Sequence, residues 1–245
     1  ALPPTTTTVA GSAITSGLLY PGSSGEVKIT VNNPNTYPVT LTSVTPNGAP
    51  TASGGTGTCS TTGVTLTGGS SGTTIPADGS VTLTLKDAAS MSSASDTGCQ
   101  NATFTIPVAV RSRAHEAPGP GPARGRAAAR RRRRGHGRVA HTSTGSAAAK
   151  AGSIGTPTGV TIGTPTCTGS GSSIPVSWAV VEGAAQYTIE SSPLGLFLAP
   201  QSQTVSTASA PHSAGGTGSI HVRVRATAGK WTSATSTVVS RRISC

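Results

Sequence analysis

The strongest constraint on this chain is the spacing of its large apolar residues, which alternate with polar ones in run after run. GEVKITVN sets Val27, Ile29 and Val31 on one face, SVTLTLK does so with Val81, Leu83 and Leu85, and ATFTIPVAV with Phe104, Ile106, Val108 and Val110. A period of two matches the pleat of a strand, whose successive side chains point to opposite faces, and not a helix, which repeats about every 3.6 residues. In PVTLTSV, Val39 and Leu41 are in step and Val44 is not, so a bulge is expected there. The runs are separated by NNPNTYP, PNGAP, GGSSG and PADGS, clusters of turn-forming residues. Short alternating strands with such turns specify antiparallel sheets packed face to face. Pro107 lacks the N–H that a ladder needs and is expected at an edge or a bulge.

Composition decides what fills the core. Aromatic residues are 3% of the 245-residue chain and charged residues 10%, so Val, Ile, Leu and Ala must do the packing. No stretch approaches the roughly 20 apolar residues of a membrane-spanning helix. The opening ALPPTTTT reads as a mature end left after processing or as an artificially chosen boundary.

Four cysteines fall two and two, Cys59 and Cys99 early, Cys167 and Cys245 late. Of the three possible pairings the economical one lies within each half; the alternative is four free thiols in a reducing compartment. No CxxC or HxxxH spacing is present, which argues against zinc. Disulfides imply an oxidising, extracellular setting.

The stretches SGLLYPGSSGEVKITVNNPNTYPVTLTSVTPNG at 16–48 and GCQNATFTIPVAV at 98–110 resemble a bacterial immunoglobulin-like domain common in secreted actinomycete proteins. The resemblance implies a β-sandwich bridged internally by Cys59–Cys99, and it brings no catalytic residue. The later stretches IPVSWAVVEGAAQYTIESS and GSIHVRVRATAGKWTSATS resemble a fibronectin type III-like domain. The likeness rests on Trp178, on Tyr187 with Ile189, and on Val222, Val224 and Ala226, with GTPTGVTI at 155–162 as the opening strand. The adhesion triplet Arg-Gly-Asp of some such domains is absent. A Cys167–Cys245 bridge would tie an early strand to the end of the chain, worth roughly 4 kcal/mol by chain entropy.

Between these halves lies a basic tract. Residues 111–138 contain ten arginines, five of them consecutive (Arg130, Arg131, Arg132, Arg133 and Arg134), against the single acid Glu116. The net charge of +11 is therefore concentrated there, since residues 1–110 hold only Lys28 and Lys86 against four acids. With almost nothing but Arg, Ala, Gly and Pro, the tract has no large apolar side chain to bury and is expected to be disordered. Three readings compete: a self-repelling linker, an arm that binds polyanions through counterion release, and a frame-shifted read of a GC-rich gene. The expected organisation is an immunoglobulin-like sandwich at 1–110, a disordered basic linker at 111–152 and a fibronectin type III-like sandwich at 153–245. The fold class is all-β.

Catalytic patterns are thin. GGSSG at 68–72 matches G-x-S-x-G at Ser70, but no helix signal follows it and no histidine precedes His115. Asp87, Asp96, Glu182 and Glu190 read as solvated turn and edge residues, and KDAASMSSASD at 86–96 is a weak calcium pattern. Asn101-Ala102-Thr103 is a sequon that coincidence explains as well. Trp178 belongs to the core by its place in an alternating strand, and Tyr20 and Tyr37 staple turns beside prolines. Trp231, just after a Gly-Lys turn, is the candidate ligand-binding aromatic. The expectation is a secreted or cell-surface, non-catalytic structural or adhesion protein that uses no cofactor or metal. Its partners would be proteins or cell-wall polymers, with nucleic acid met only non-specifically. The alternative is a polyanion- or carbohydrate-binding accessory module.

Overall fold

A computed structural model describes residues 7–11, 17–114, 140–168 and 171–244. The first ten strands are β1 (Thr8–Gly11), β2 (Ser24–Asn33), β3 (Val39–Pro46), β4 (Thr51–Ser53), β5 (Val64–Leu66), β6 (Gly69–Ser70), β7 (Thr74–Ile75), β8 (Gly79–Met91), β9 (Thr103–Ala114) and β10 (Ala140–Lys150). Nine more follow: β11 (Thr161–Ile162), β12 (Thr166–Thr168), β13 (Gly171–Ser177), β14 (Gln186–Ser192), β15 (Gln201–Val205), β16 (Ser209–Gly215), β17 (Gly218–Ala228), β18 (Trp231–Thr232) and β19 (Val239–Ile243). They form two antiparallel β-sandwiches, as the alternation requires.

In the first sandwich one sheet has the order β1-β2-β8-β5 and the other β10-β9-β3-β6, with β4 extending the β3 side of β9 and β7 pairing with β3. This is the A-B-E-D and G-F-C order of an immunoglobulin-like domain. Val27, Ile29 and Val31 point inward from β2, opposed by Phe104, Ile106, Val108 and Val110 from β9. The bulge expected near Val44 lies between Leu41 and Ser43, where the register against β9 shifts by one residue. The second sandwich sets β13 between β16 on one side and β11 and β12 on the other, and packs that sheet against β15-β14-β17 with β18 and β19 beyond. Ile174, Val176, Tyr187, Ile189, Val222, Val224 and Ala226 form its buried interior.

Two expectations are corrected. Residues 111–114 complete β9, and residues 140–150 form β10, paired with β9 from Ala140↔Arg113 to Lys150↔Thr103. The two ends of the segment assigned to a disordered linker thus complete β9 and supply the last strand of the first sandwich, while residues 115–139 lie outside the described residues. Its inward side chains are Ala147 and Ala149, so the alternation is present but written in residues too small to register as an apolar run. Pro107 is on neither an edge nor a bulge, since β9 has β10 on one flank and β3 and β4 on the other. It sits where β3 gives way to β4, and its carbonyl accepts from Asn47 N–H at 2.9 Å. The missing N–H faces that gap. Pro175 in β13 repeats the device, its carbonyl accepting from Gly163 N–H between β11 and β12.

The true connection is short. Residues 151–155 leave β10 hydrogen-bonded to the first sandwich: Ala151 N–H to Ala102, Gly152 N–H to Leu19, and Ile154 N–H to the Gln100 side-chain oxygen.

Candidate functional site

Trp231 lies 0% exposed, so it is a packing residue and not an accessible ligand platform. The turn after β17 presses its indole onto the first sandwich. Its Nε1–H donates to the Asp96 carbonyl at 2.9 Å, and its ring meets Tyr20 edge-on at 6.4 Å. Lys230 pairs with the Asp96 carboxylate at 3.5 Å, and its carbonyl accepts from the Thr97 hydroxyl. Asp96 also accepts from Thr61 N–H, which with Lys230 holds its carboxyl below the usual carboxylate range. Tyr20 reaches further than stapling its own turn. It fits between Gly152 and Gly183, where added Cβ atoms would lie 2.3 and 2.1 Å from its ring carbons. Burial and the neighbouring Glu182 raise its hydroxyl pKa. Two sandwiches are thus joined by a built junction.

The other candidates are distributed as follows. Cys59 and Cys99 are disulfide-bonded, with Cα atoms 4.7 Å apart. Cys167 is disulfide-bonded too, while Cys245 lies outside the described residues. Arg130, Arg131, Arg132, Arg133 and Arg134 also lie outside the described residues. Trp178 is buried as expected, its ring 5.2 Å from Tyr187, whose hydroxyl accepts from Val181 N–H. Ser70 is exposed at the end of the two-residue strand β6. Glu190 is engaged by Arg223 at 2.6 Å and by Arg225 at 4.0 Å.

Two arrangements escaped sequence reasoning. In the first, His212 of β16 crosses between the sheets of the second sandwich. Its Nε2 lies 2.8 Å from Ser191 Oγ on β14, and its Nδ1 3.0 Å from Gln203 Oε1 on β15. With Gln203 as acceptor the proton sits on Nδ1, and the Ser191 hydroxyl donates to Nε2. The order echoes a Ser-His-acid relay, but the third member is a neutral amide, which stabilises an imidazolium less than a carboxylate does. Ser191 is itself buried, so the set acts as a clamp between sheets. Burial holds the imidazole pKa below its ordinary value.

The second arrangement is the loop from β14 to β15, residues 193–200, whose sequence PLGLFLAP has no polar side chain. Leu194, Leu196 and Leu198 are 75%, 67% and 90% exposed. Phe197 turns the other way and is 9% exposed, its ring 4.2 Å beneath the Arg223 guanidinium. Gly195 has φ +70, and a Cβ there would lie 3.2 Å from the His221 ring. Phe197 has φ +50, a left-handed conformation that a bulky residue adopts only under constraint from its surroundings. The loop is held at Gly195 and Phe197, and its three leucines face solvent. A cleft of about 360 Å³ opens beside it, between Pro193 and the Gly215–Gly218 turn. This is the distal tip: Ser192 of β14 pairs with His221 near the start of β17, whereas Ala228 at its far end pairs with Trp231.

The sequence matches no family model, and no curated protein matches it. Among solved structures the chain is similar to the FN1-FN3 domains of chicken CNTN1, at 15% identity over 93% of this chain and 69% of that one, with a TM-score of 0.35. A two-domain fibronectin type III segment of chicken tenascin is 15% identical over 91% of this chain and 95% of its own, with a TM-score of 0.33. Titin domains A168-A170 are 10% identical over 96% of this chain and 65% of theirs, with a TM-score of 0.33. The fold assignment rests on the strand order given above.

Proposed function

We propose that the chain is a non-catalytic structural or adhesive module of the cell exterior, in which two docked sandwiches present a distal apolar tip to a partner. The observation that carries this reading is the set of three leucines, 67–90% exposed, on a loop pinned from beneath. Scattered exposed leucines are ordinary, but three within five residues of one anchored loop are a local concentration of the kind that marks contact sites. The Cys59–Cys99 bridge supports an oxidising environment. Against catalysis stand a buried Ser191 beside a histidine held by the neutral Gln203, and a Ser70 that leads into strand β7 and not into a helix. The carbohydrate alternative is weakened, because its aromatic handle, Trp231, is closed off at the junction.

The test is retention of the purified full chain on the surface of cells from its source. Replacing all three leucines by serine (Leu194→Ser, Leu196→Ser, Leu198→Ser) should abolish most of the retention without lowering the melting temperature. Retention that ignores the leucines would refute the tip as the contact element.

A further inference from the structure

Resting on that reading of the tip, we propose that what it contacts is an anionic lipid surface, into which Leu194, Leu196 and Leu198 insert while the neighbouring basic groups meet the headgroups. Shape, area and charge argue for this occupant. Leucines lining a groove for a protein partner would be shielded by its walls, yet Leu198 is 90% exposed, Leu194 75% and Leu196 67%. Leucines so exposed are satisfied by a fluid apolar medium that closes around them. Three leucine side chains expose on the order of a few hundred Å², short of the about 800 Å² per partner that a stable protein–protein interface buries. Insertion into a bilayer needs no such minimum, because each buried methylene and each headgroup contact adds independently.

The charges agree. Glu182 and Glu190 are the two acidic side chains after residue 152. Glu182 lies beside Tyr20 at the junction, and Glu190 is shared between Arg223 and Arg225. At the tip, Arg242 is exposed on β19 next to Ser219, and Arg223, whose guanidinium lies over Phe197, and Arg225 outnumber the one carboxylate they share, Glu190. The excess positive charge suits anionic headgroups, each basic group near such a surface adding attraction that salt screens. The anchoring of Phe197 and Gly195 lowers the ordering cost of insertion, since the leucines are displayed before contact.

The basic tract is a rival source of vesicle binding, and salt and substitution separate the two. Ala114 and Ala140, from which it departs, lie at the end of β9 and β10 remote from the junction, the opposite pole from the tip. The experiment is co-sedimentation of the full chain with phosphatidylcholine vesicles containing phosphatidylglycerol. It is run in about 0.1 M NaCl and again in about 0.5 M, where the Debye length falls to roughly 4 Å and tract binding is screened. The expected result is binding that persists in high salt and falls on the order of tenfold or more in the triple leucine-to-serine variant. A second variant, with Arg130 to Arg134 all replaced by serine, should keep the leucine-dependent part. Equal binding by wild type and the triple variant at high salt would overturn the proposal. So would leucine-dependent retention on cells by a chain that ignores vesicles, which would mean a protein partner and leave the adhesive reading standing.

Discussion

Replacing Trp231 by alanine should uncouple the two sandwiches. The indole is fully buried, makes a 2.9 Å hydrogen bond to Asp96 and meets Tyr20 edge-on, and all three features span the junction. Truncating a buried tryptophan costs about 3–5 kcal/mol, within which the hydrogen bond contributes about 1 and the aromatic pair about 0.5–1.5. For a cooperative unit of this size, each kcal/mol lowers the melting temperature by about 2–4 °C, so the fall should be about 6–20 °C. The shape of the transition is the more telling readout. In differential scanning calorimetry the wild type should melt in one transition, and Trp231→Ala in two, one for each sandwich released from its neighbour. Gly183→Ala should also split the transition, because its added Cβ would lie 2.1 Å from Tyr20 while no core side chain is removed. A single transition in both variants, or a melting temperature within a degree or so of wild type, would refute the junction as an energetic coupling.

Three further outcomes follow from the site geometry. Because burial depresses the His212 pKa, the unfolded chain binds the proton more readily than the folded one, so the contribution of neutral His212 is full above the ordinary pKa of about 6.5 and is lost as pH falls through the folded value. The urea midpoint should therefore drop on acidification, and His212→Asn should flatten that part of the profile; an unchanged profile would exclude His212 as the source. Replacing Cys59 and Cys99 together by alanine opens a loop with a sequence separation of 40, and chemical denaturation should show a loss of roughly 4 kcal/mol. Phe197→Ala removes the contact under Arg223, and hydrogen exchange at residues 193–200 should accelerate while β14 and β15 keep their protection.

What was legible in the sequence was whatever a single strand can state about itself. The alternation at Val27, Ile29 and Val31 and from Phe104 to Val110 located β2 and β9, and the misplaced Val44 marked the bulge. Trp178 was readable because its neighbours share its strand period. Strand β10 was not, since Ala147 and Ala149 bury little area each and followed a low-complexity tract that lowered the expectation of order. Trp231 and Tyr20 were misread for a different reason. Each stands beside a turn signal in its own domain, and contacts that bury it cross to the other domain. The clamp at His212 joins β14, β15 and β16, which no local window contains. PLGLFLAP, finally, has the composition of a core segment. The positive φ at Gly195 and Phe197 and the packing of Phe197 against Arg223, which no local window shows, accompany its outward leucines.

Peptide mapping without reduction, on protein recovered from the outer surface of its source cells, tests the central claim of an extracellular tandem sandwich most directly. The account predicts a Cys59–Cys99 cross-linked peptide in that fraction, and no free Cys59 or Cys99 thiol. Recovery of the chain only from the cell interior, with Cys59 and Cys99 alkylated as free thiols, would contradict it.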